Sequence, residues 1–272
     1  MSSEPADDFL SGTSGQVWGI RATAKAIVAD AICDAVALAR LQRRRLTRAA
    51  RAMPRRRVLA LAIERQGMPN LLAEARAELL RSRHEVQFHC TTAGERGKFE
   101  NLDQLLEHHP AAGHDWLLIL DDDVSLPAGF LDVFLFLAER FGLALAQPAH
   151  RWRSHAAIAV TRRRPNRVVR ETGFVEIGPM VALQAVTFSE LLPFPPLRAG
   201  WGLDAHWSAV AAECGWPLGV VDATPVTHGL RRTASAYDRQ AAIAEAREFL
   251  ATRPYVSARD AQRTLVGHRG WR

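Results

Sequence analysis

The stretch WLLILDDDVSL, residues 116–126, decides the expected fold because five apolar residues lead directly into three aspartates. Such an apolar run is typical of a buried parallel strand. Adjacent carboxylates repel each other, so this cluster favours a bound cation at the end of the strand. Alternate strand residues point the same way, so we expect Asp121 and Asp123 to converge while Asp122 diverges. These hard oxygen ligands suit Mg²⁺ or Mn²⁺. A solvated strand end with one helix cap is the alternative.

Strand-like and helix-like segments alternate on both sides of this stretch. Further apolar or alternating runs cover residues 57–64, 85–90 and 143–149. Helix-like segments cover residues 70–83, 100–109, 129–141 and 203–215. This alternation indicates an α/β fold with helices on both faces of a sheet. We therefore predict an α/β domain over residues 57–236, preceded by a disordered start and basic helix (1–56) and followed by a helical, basic tail (237–272).

The composition is that of a soluble globular protein. The 272 residues are 48% hydrophobic and 24% charged, which is ordinary for such proteins. No run of about 18 apolar residues occurs, and the acidic, polar opening residues do not resemble a signal peptide. Three widely separated cysteines, Cys33, Cys90 and Cys214, cannot all pair with one another, which favours a reducing compartment. We therefore expect a cytoplasmic protein, with peripheral membrane contact as a further possibility.

Two later segments carry residues that suit the same end of the sheet, where ligands bind in open α/β folds. In WGLDAHW, residues 201–207, a glycine-containing turn places Asp204 at the start of a helix, where it serves as a cap alone or as a general base. In VTHGLRR, residues 226–232, His228 follows an apolar strand and could bind a cation. Arg231 and Arg232 could then meet phosphate.

An earlier segment, GERGKFENLDQLL, covers residues 94–106 and has two readings. Lys98 and Asn101 could reach a nucleotide base or phosphate. The same residues also suit a plain surface loop followed by a helix start.

In this order, the segments resemble the nucleotide-sugar glycosyltransferases of the GT-A fold, most closely the family 2 group. The resemblance covers about residues 57–232 and rests on these pieces in chain order: Glu64, GKFENL, LLILDDDV, LLPFP, WGLDAHW and VVDATPVTHG. The chain departs from the family in two places. The usual Glu-Asp pair is here Leu203-Asp204, and Arg162–Arg164 have no counterpart.

The resemblance implies a metal-dependent transfer of a sugar from a nucleoside diphosphate sugar to an unknown acceptor hydroxyl, with inversion. It implies that Mn²⁺ or Mg²⁺ is held by Asp121, Asp123 and His228, and that Asp204 is the base. It also implies a donor site lined by Glu64, Lys98, Asn101, Asp121 and Asp122. The arginines at 162–164 suggest either an anionic acceptor or a solvated loop.

Two other functions fit parts of the sequence. LLILDDDVS is similar to the DxDx(T/V) strand of haloacid dehalogenase phosphatases, in which Asp121 would be the nucleophile. That motif usually opens its fold, and the late acidic pair it needs is reduced here to Asp222. The nine arginines between residues 40 and 57 suggest a non-catalytic nucleic-acid-binding protein, but no recognition signature accompanies them. We expect no specific nucleic-acid partner.

The segment before the predicted domain forms a helix over about residues 16–51, according to its apolar periodicity. Ile20, Ile27, Ala31, Ala35 and Leu38 form one line of an apolar stripe, with Val28, Ile32 and Val36 beside it. Arg21 and Lys25 interrupt this apolar stripe near its start. An arginine block follows it, so residues 16–57 could lie on an anionic membrane. The stripe could instead pack on the catalytic domain or on a second copy, or the helix could stay solvated.

Overall fold

A mixed sheet of nine strands is the centre of the computed structural model, which describes residues 7–11, 17, 19–230 and 238–272. The strands are β1 (Arg57–Glu64), β2 (Glu85–Thr92), β3 (Trp116–Asp121), β4 (Val124–Ser125), β5 (Leu145–His150), β6 (Val169–Thr172), β7 (Met180–Gln184), β8 (Leu218–His228) and β9 (Thr264–His268). Their spatial order is β2-β1-β3-β7-β5-β8-β6-β9, and the short β4 pairs with β8 beside this path.

Helices cover both faces of the sheet, as the sequence predicts. The helices are α1 (Ile20–Ala39), α2 (Gln42–Ala50), α3 (Leu72–Leu80), α4 (Lys98–His108), α5 (Phe130–Arg140), α6 (Phe188–Leu191), α7 (Leu203–Glu213), α8 (Arg239–Leu250) and α9 (Ala258–Ala261). One hydrophobic core lies between the sheet and α2, α3 and α5. A second core lies on the opposite face, under α4, α7 and α8.

Strand β3 is buried on both faces because its side chains alternate between the two cores. Trp116, Leu118 and Leu120 belong to one core, and Leu117 and Ile119 belong to the other. Such double burial explains the unbroken apolar run. The strand ends at Asp121 inside the sheet, with β1 parallel on one side and β7 antiparallel on the other. The predicted fold class, a mixed sheet flanked by helices, is confirmed.

The order of the strands could not be read from their order in the chain. Only the two-residue β4 separates β3 from β5 in the sequence, yet the antiparallel β7 lies between them in the sheet. The predicted apolar strand before His228 is β8, a single strand of 11 residues. It runs parallel to β5 and antiparallel to β6 and β4.

The last part of the chain belongs to the same sheet, whereas the sequence predicts a separate tail there. β9 pairs with β6 along its free edge. The side chain of Glu245 on α8 accepts hydrogen bonds from the backbone N–H groups of Arg198, Ala199 and Gly200, at 3.0–3.2 Å. The predicted boundary near residue 237 therefore does not separate the tail from the domain.

The predicted N-terminal helix is two helices rather than one. α1 and α2 are divided at Leu41, whose backbone is left-handed with φ 49°. α1 lies on the protein through the side that carries Ala26, Asp30 and Cys33, which are buried. Its exposed side chains include the large apolar residues Ile20, Ile27, Val28, Ile32 and Leu38. Packing of the apolar stripe on the domain is thus not observed. Within the described ranges, no helix is long and apolar enough to cross a membrane.

Candidate active site

Asp121, Asp123 and His228 converge at the carboxyl end of β3. Each offers one ligand atom, and these atoms all lie within 4.8 Å of one another. β3 delivers Asp121, and β4, which begins at Val124, pairs with His228 at the end of β8. The antiparallel pairing of Val124 with His228 brings the imidazole to Asp123, with Nε2 3.2 Å from a carboxylate oxygen. The predicted convergence of Asp121 and Asp123 is therefore observed.

The surroundings of these three side chains suit a divalent cation. Asp123 is only 2% exposed, so its charge requires a positive partner. Burial opposes a charged imidazole, but the hydrogen bond to Asp123 and the charges of Asp123 and Asp121 outweigh it and raise the pKa of His228. Two carboxylate oxygens and one imidazole nitrogen form a set that first-row divalent ions accept. The residues present thus fit a metal ion.

Lys98 connects this cluster to the second half of the site. The lysine begins α4, and its Nζ lies 2.7 Å from a carboxylate oxygen of Asp121. The same Nζ donates a hydrogen bond to the backbone carbonyl of Ile177, at 3.3 Å. Lys98 therefore adds a positive charge directly beside the candidate metal site.

Asp204 lies on the other side of Ile177. It opens α7, and its carboxylate accepts hydrogen bonds from the backbone N–H groups of Ala205, at 2.9 Å, and of Ile177. Since the Ile177 carbonyl accepts from Lys98, one residue links the candidate base to the Lys98–Asp121 pair. The predicted metal and base residues are brought together by the segment that precedes β7.

The protonation of Asp204 differs strongly from that of an ordinary aspartate. Burial and the negative charge of Glu176 raise the pKa of Asp204 from 3.8 to about 7, against the effect of the backbone N–H groups of Ala205, Ile177 and Asp204 itself. A carboxyl group with such a pKa exchanges protons readily near neutral pH, which is the property of a general base.

Glu176 was not among the residues predicted from the sequence. It is buried, and its carboxylate lies 2.8 Å from Nε2 of His150, which is fully buried at the end of β5. The other carboxylate oxygen accepts the N–H of Ile158 at 2.9 Å. The signal was available in GFVEIGPM, where a single acid interrupts an apolar stretch. Its proximity to Asp204 depends on the path of that segment across the sheet.

The residues predicted to line the donor site differ in their exposure and in their hydrogen-bond partners. Asn101 is 2% exposed, and its amide donates to the backbone carbonyls of Ala93, Arg96 and Gly97. It therefore holds the loop before α4 rather than facing a ligand, which corrects the expected direct contact.

Glu64 and Asp122 hold the loop that follows β1. Glu64 accepts a hydrogen bond from the Asn70 side chain at 3.2 Å. A carboxylate oxygen of Asp122 accepts the N–H of Arg65 at 2.9 Å, and its carbonyl accepts the N–H of Leu71 at 2.6 Å. Asp122 thus points away from the metal cluster, as predicted, and shapes the adjacent loop.

The arginine cluster at 162–164 is mostly used inside the protein. The Arg162 guanidinium donates to the carbonyls of Trp152 and Ser154, both at 3.1 Å, and Arg163 forms an ion pair with Asp34. The backbone N–H of Arg164 donates to Asp222 at 2.8 Å. An acceptor site built on Arg162 and Arg163 is therefore disfavoured. Arg231 and Arg232 lie outside the described residues.

Asp222, which the phosphatase alternative would need as a metal ligand, has a different role. It is buried and forms an ion pair with Arg170, with a nitrogen–oxygen distance of 2.7 Å. The metal candidates Asp121, Asp123 and His228 form a separate group. The phosphatase alternative therefore loses the acid that it requires.

A cleft of about 490 Å³ borders the candidate metal site on the side of α1. Asp123, Ser125 and Thr227 lie on one side of it, and Ile27 and Ala31 of α1 lie on the other. Arg151, Arg153, Leu71 and Leu230 also line the cleft. Substrate groups could approach Asp123 through this opening.

Comparison with known proteins gives only distant similarity. No protein-family model matches the chain, and no curated protein matches it significantly. A crystal structure of GalNAc-T7 with UDP, GalNAc and Mn²⁺ is similar with a TM-score of 0.44 and 11% identity, over 67% of this chain and 45% of that chain. The match thus spans less than half of the GalNAc-T7 chain. A197 from STIV is similar with a TM-score of 0.43 and 13% identity, over 65% of this chain and 87% of that one.

Proposed function

We propose that this protein is a metal-dependent glycosyltransferase that moves a sugar from a nucleoside diphosphate sugar to an acceptor hydroxyl with inversion. The observation that carries the proposal is the position of Asp204. A carboxyl group with a pKa of about 7 is joined through Ile177 to Lys98 and hence to Asp121 of the candidate metal cluster.

In the proposed reaction, Asp204 accepts the proton of the acceptor hydroxyl. The hydroxyl oxygen forms a bond to the anomeric carbon while the bond from that carbon to the diphosphate breaks. The electron pair of the broken bond leaves with the diphosphate. A positioned base typically contributes about 10²–10⁴-fold to such a step.

Asp121, Asp123 and His228 are the proposed ligands of Mn²⁺ or Mg²⁺. When bound, such an ion would stabilise the negative charge of the diphosphate leaving group. Lys98 supplies a second positive charge beside Asp121. Glu64 and Asp122 shape the loop after β1, which we propose to be part of the donor site.

Isothermal titration calorimetry with UDP and GDP, each with and without Mn²⁺, tests the proposal. We expect Mn²⁺ to strengthen binding of at least one nucleoside diphosphate by roughly tenfold or more. Asp123→Asn should remove the effect of the ion while the fold stays intact. Asp115→Asn is the matched control, because Asp115 lies just before the opposite end of the same strand and its carboxylate accepts the Arg57 N–H.

Two results would contradict the proposal. The first is that neither nucleoside diphosphate binds more tightly with Mn²⁺ or Mg²⁺. The second is that Asp115→Asn removes the effect of the ion as fully as Asp123→Asn, since that would indicate a general loss of structure.

A further inference from the structure

α1 attaches to the protein through the side that carries Ala26, Asp30 and Cys33, so that a carboxylate lies in the buried contact. The buried carboxylate of Asp30, a residue only 4% exposed, accepts the backbone N–H groups of Trp152 and Arg153 at 3.0 and 3.2 Å. One turn later, Asp34 forms ion pairs with Arg151 and Arg163. These contacts fix the rotation of α1 about its axis and turn its other side to the outside.

The side that faces outward is apolar. Ile20 is 91% exposed and Leu38 is 75% exposed. Ile27, Val28 and Ile32 between them are each about half exposed. At 3.6 residues per turn, these side chains spread over an arc of roughly 140°, and the exposed Ala24, Ala31 and Ala35 lie between them. An exposed apolar face of this kind is typical of a surface that binds another protein or a membrane.

The charges around this face are positive. Its acids, Asp30 and Asp34, are the two paired with the protein. Exposed cations stand at both ends of the helix, with Arg21 and Lys25 at the start and Arg40 at the end. The exposed arginines of α2 follow at once: Arg43, Arg44, Arg45 and Arg48.

We propose that the outward face of α1, with the cations that flank it, docks on an anionic lipid surface. A lipid surface provides both an apolar layer for the isoleucines and negative charge for the arginines and lysine. A nucleic acid would match the charge but offers no comparable apolar layer. A second copy of α1 would bring like charges together.

The outward face of α1 lies next to the cleft that borders the candidate metal site. Ile27 and Ala31 lie on α1 and also line the cleft that reaches Asp123. Docking of α1 would therefore bring the mouth of the cleft to the lipid surface. An acceptor held in the membrane would reach the site from there, a consequence that rests on the proposed function.

Vesicle co-sedimentation of the full-length chain tests the docking independently of any enzymatic activity. Vesicles of phosphatidylcholine alone are compared with an equal mixture of phosphatidylcholine and phosphatidylglycerol. We expect sedimentation with the mixed vesicles that weakens at high salt. Ile27→Asp/Ile32→Asp should lower the bound fraction roughly tenfold or more. Leu80→Asp/Leu265→Asp is the matched control, because it adds the same charge at exposed apolar residues outside α1.

Thermal unfolding of both double variants shows whether they are folded, and light scattering shows whether the chain self-associates. The proposal is overturned if the wild type does not prefer the anionic vesicles, or if both folded double variants lose binding equally. It is also overturned if the wild type is a dimer that Ile27→Asp/Ile32→Asp dissociates, since a second copy would then cover the face. Should Ile27→Asp/Ile32→Asp fail to fold, Arg44→Glu/Arg48→Glu tests the charge requirement, and its unchanged binding would overturn the proposal.

Discussion

Two opposing influences act on the pKa of the Asp204 carboxyl group. A helix start with backbone N–H donors ordinarily stabilises the charged form of an aspartate. Here burial and the nearby Glu176 act in the other direction and dominate, so the pKa of Asp204 rises to about 7. The helix start can be predicted from WGLDAHW alone, but the effect of Glu176 cannot, because Glu176 lies 28 positions earlier in the chain.

The first prediction at this scale concerns turnover. Under the proposed mechanism the ionised carboxylate is the base, so turnover should rise as the pH increases through about 7. Asp204→Asn should lower kcat by about 10²–10⁴-fold and leave nucleoside diphosphate binding nearly unchanged. Steady-state kinetics between pH 5.5 and 8.5, with roughly half-unit steps, measures both effects. Comparable turnover in the variant would exclude Asp204 as the base.

The second prediction concerns stability. The pKa of Asp204 is about 7 in the folded protein against 3.8 as the ordinary value. The stabilising contribution of Asp204 to the free energy of unfolding is fully present below pH 3.8 and is lost as the pH rises through about 7. The reason is that the unfolded chain releases this proton more easily than the folded protein does. Asp204→Asn, which stays neutral and can still cap α7, should therefore be more stable than the wild type above pH 7.

The expected increase in the free energy of unfolding of Asp204→Asn is of the order of 1–3 kcal/mol. A rise in pKa from 3.8 to about 7 corresponds to at most roughly 4 kcal/mol, and the partial exposure of Asp204 reduces that figure. Urea unfolding at pH 5 and pH 8 measures the difference between the two proteins. The gain should be larger at pH 8, and a gain that is equal or larger at pH 5 would contradict the assigned pKa.

At the scale of elements, the start of α4 is held against the loop before α7. Gly97 precedes Lys98, and its N–H donates to Glu100 at 2.6 Å. The N–H of Lys98 donates to the carbonyl of Arg198 at 3.2 Å. A Cβ atom at Gly97 would overlap the Arg198 backbone. The close approach of two backbones therefore requires glycine at this position.

This contact predicts the effect of Gly97→Ala. The added methyl group must push the Arg198 loop away from α4, and overpacking of this kind costs about 1–3 kcal/mol. We expect a melting temperature lower by several degrees, measured by thermal unfolding. Gly270→Ala is the control, because a Cβ atom there meets no atom within 4 Å and the backbone is not left-handed. Equal melting temperatures for the two variants would contradict the close packing.

At the scale of the whole molecule, the C-terminal elements β9 and α8 complete the sheet and support the site. β9 covers the edge of β6, and His268 on β9 lies 2.7 Å from the carboxylate of Glu171 on β6. α8 reaches the loop that precedes α7 through Glu245. Asp204 at the start of α7 is thus supported by a part of the chain that follows it by about 40 residues.

Removal of β9 should therefore weaken the entire domain. A chain that ends at residue 262 leaves the β6 edge unpaired, and an unpaired edge invites association. We expect a melting temperature lower by roughly 5 °C or more and a larger aggregated fraction in size-exclusion chromatography. Leu265→Ser is the control, since it changes an exposed β9 side chain and keeps the strand. An unchanged melting temperature of the shortened chain would show that β9 is dispensable.

The sequence by itself determined the local elements of this protein and the chemical types at the site. The unbroken apolar run of 116–120 specified a strand buried on both faces, and Asp121 indeed ends it inside the sheet. The period of two along a strand separated Asp121 and Asp123 from Asp122. Both signals are local, because they depend only on neighbouring residues and backbone geometry.

The tertiary structure alone decided which distant residues meet. In the folded protein, β7 lies between β3 and β5, and Glu176 and Ile177 lie beside Asp204. Asn101 holds a loop through hydrogen bonds to its backbone. The apolar side of α1 faces outward because the residues that pair with Asp30 and Asp34 lie more than 100 residues away in the chain. Periodicity identifies the two sides of a helix, but the partners that those sides meet determine which one is buried.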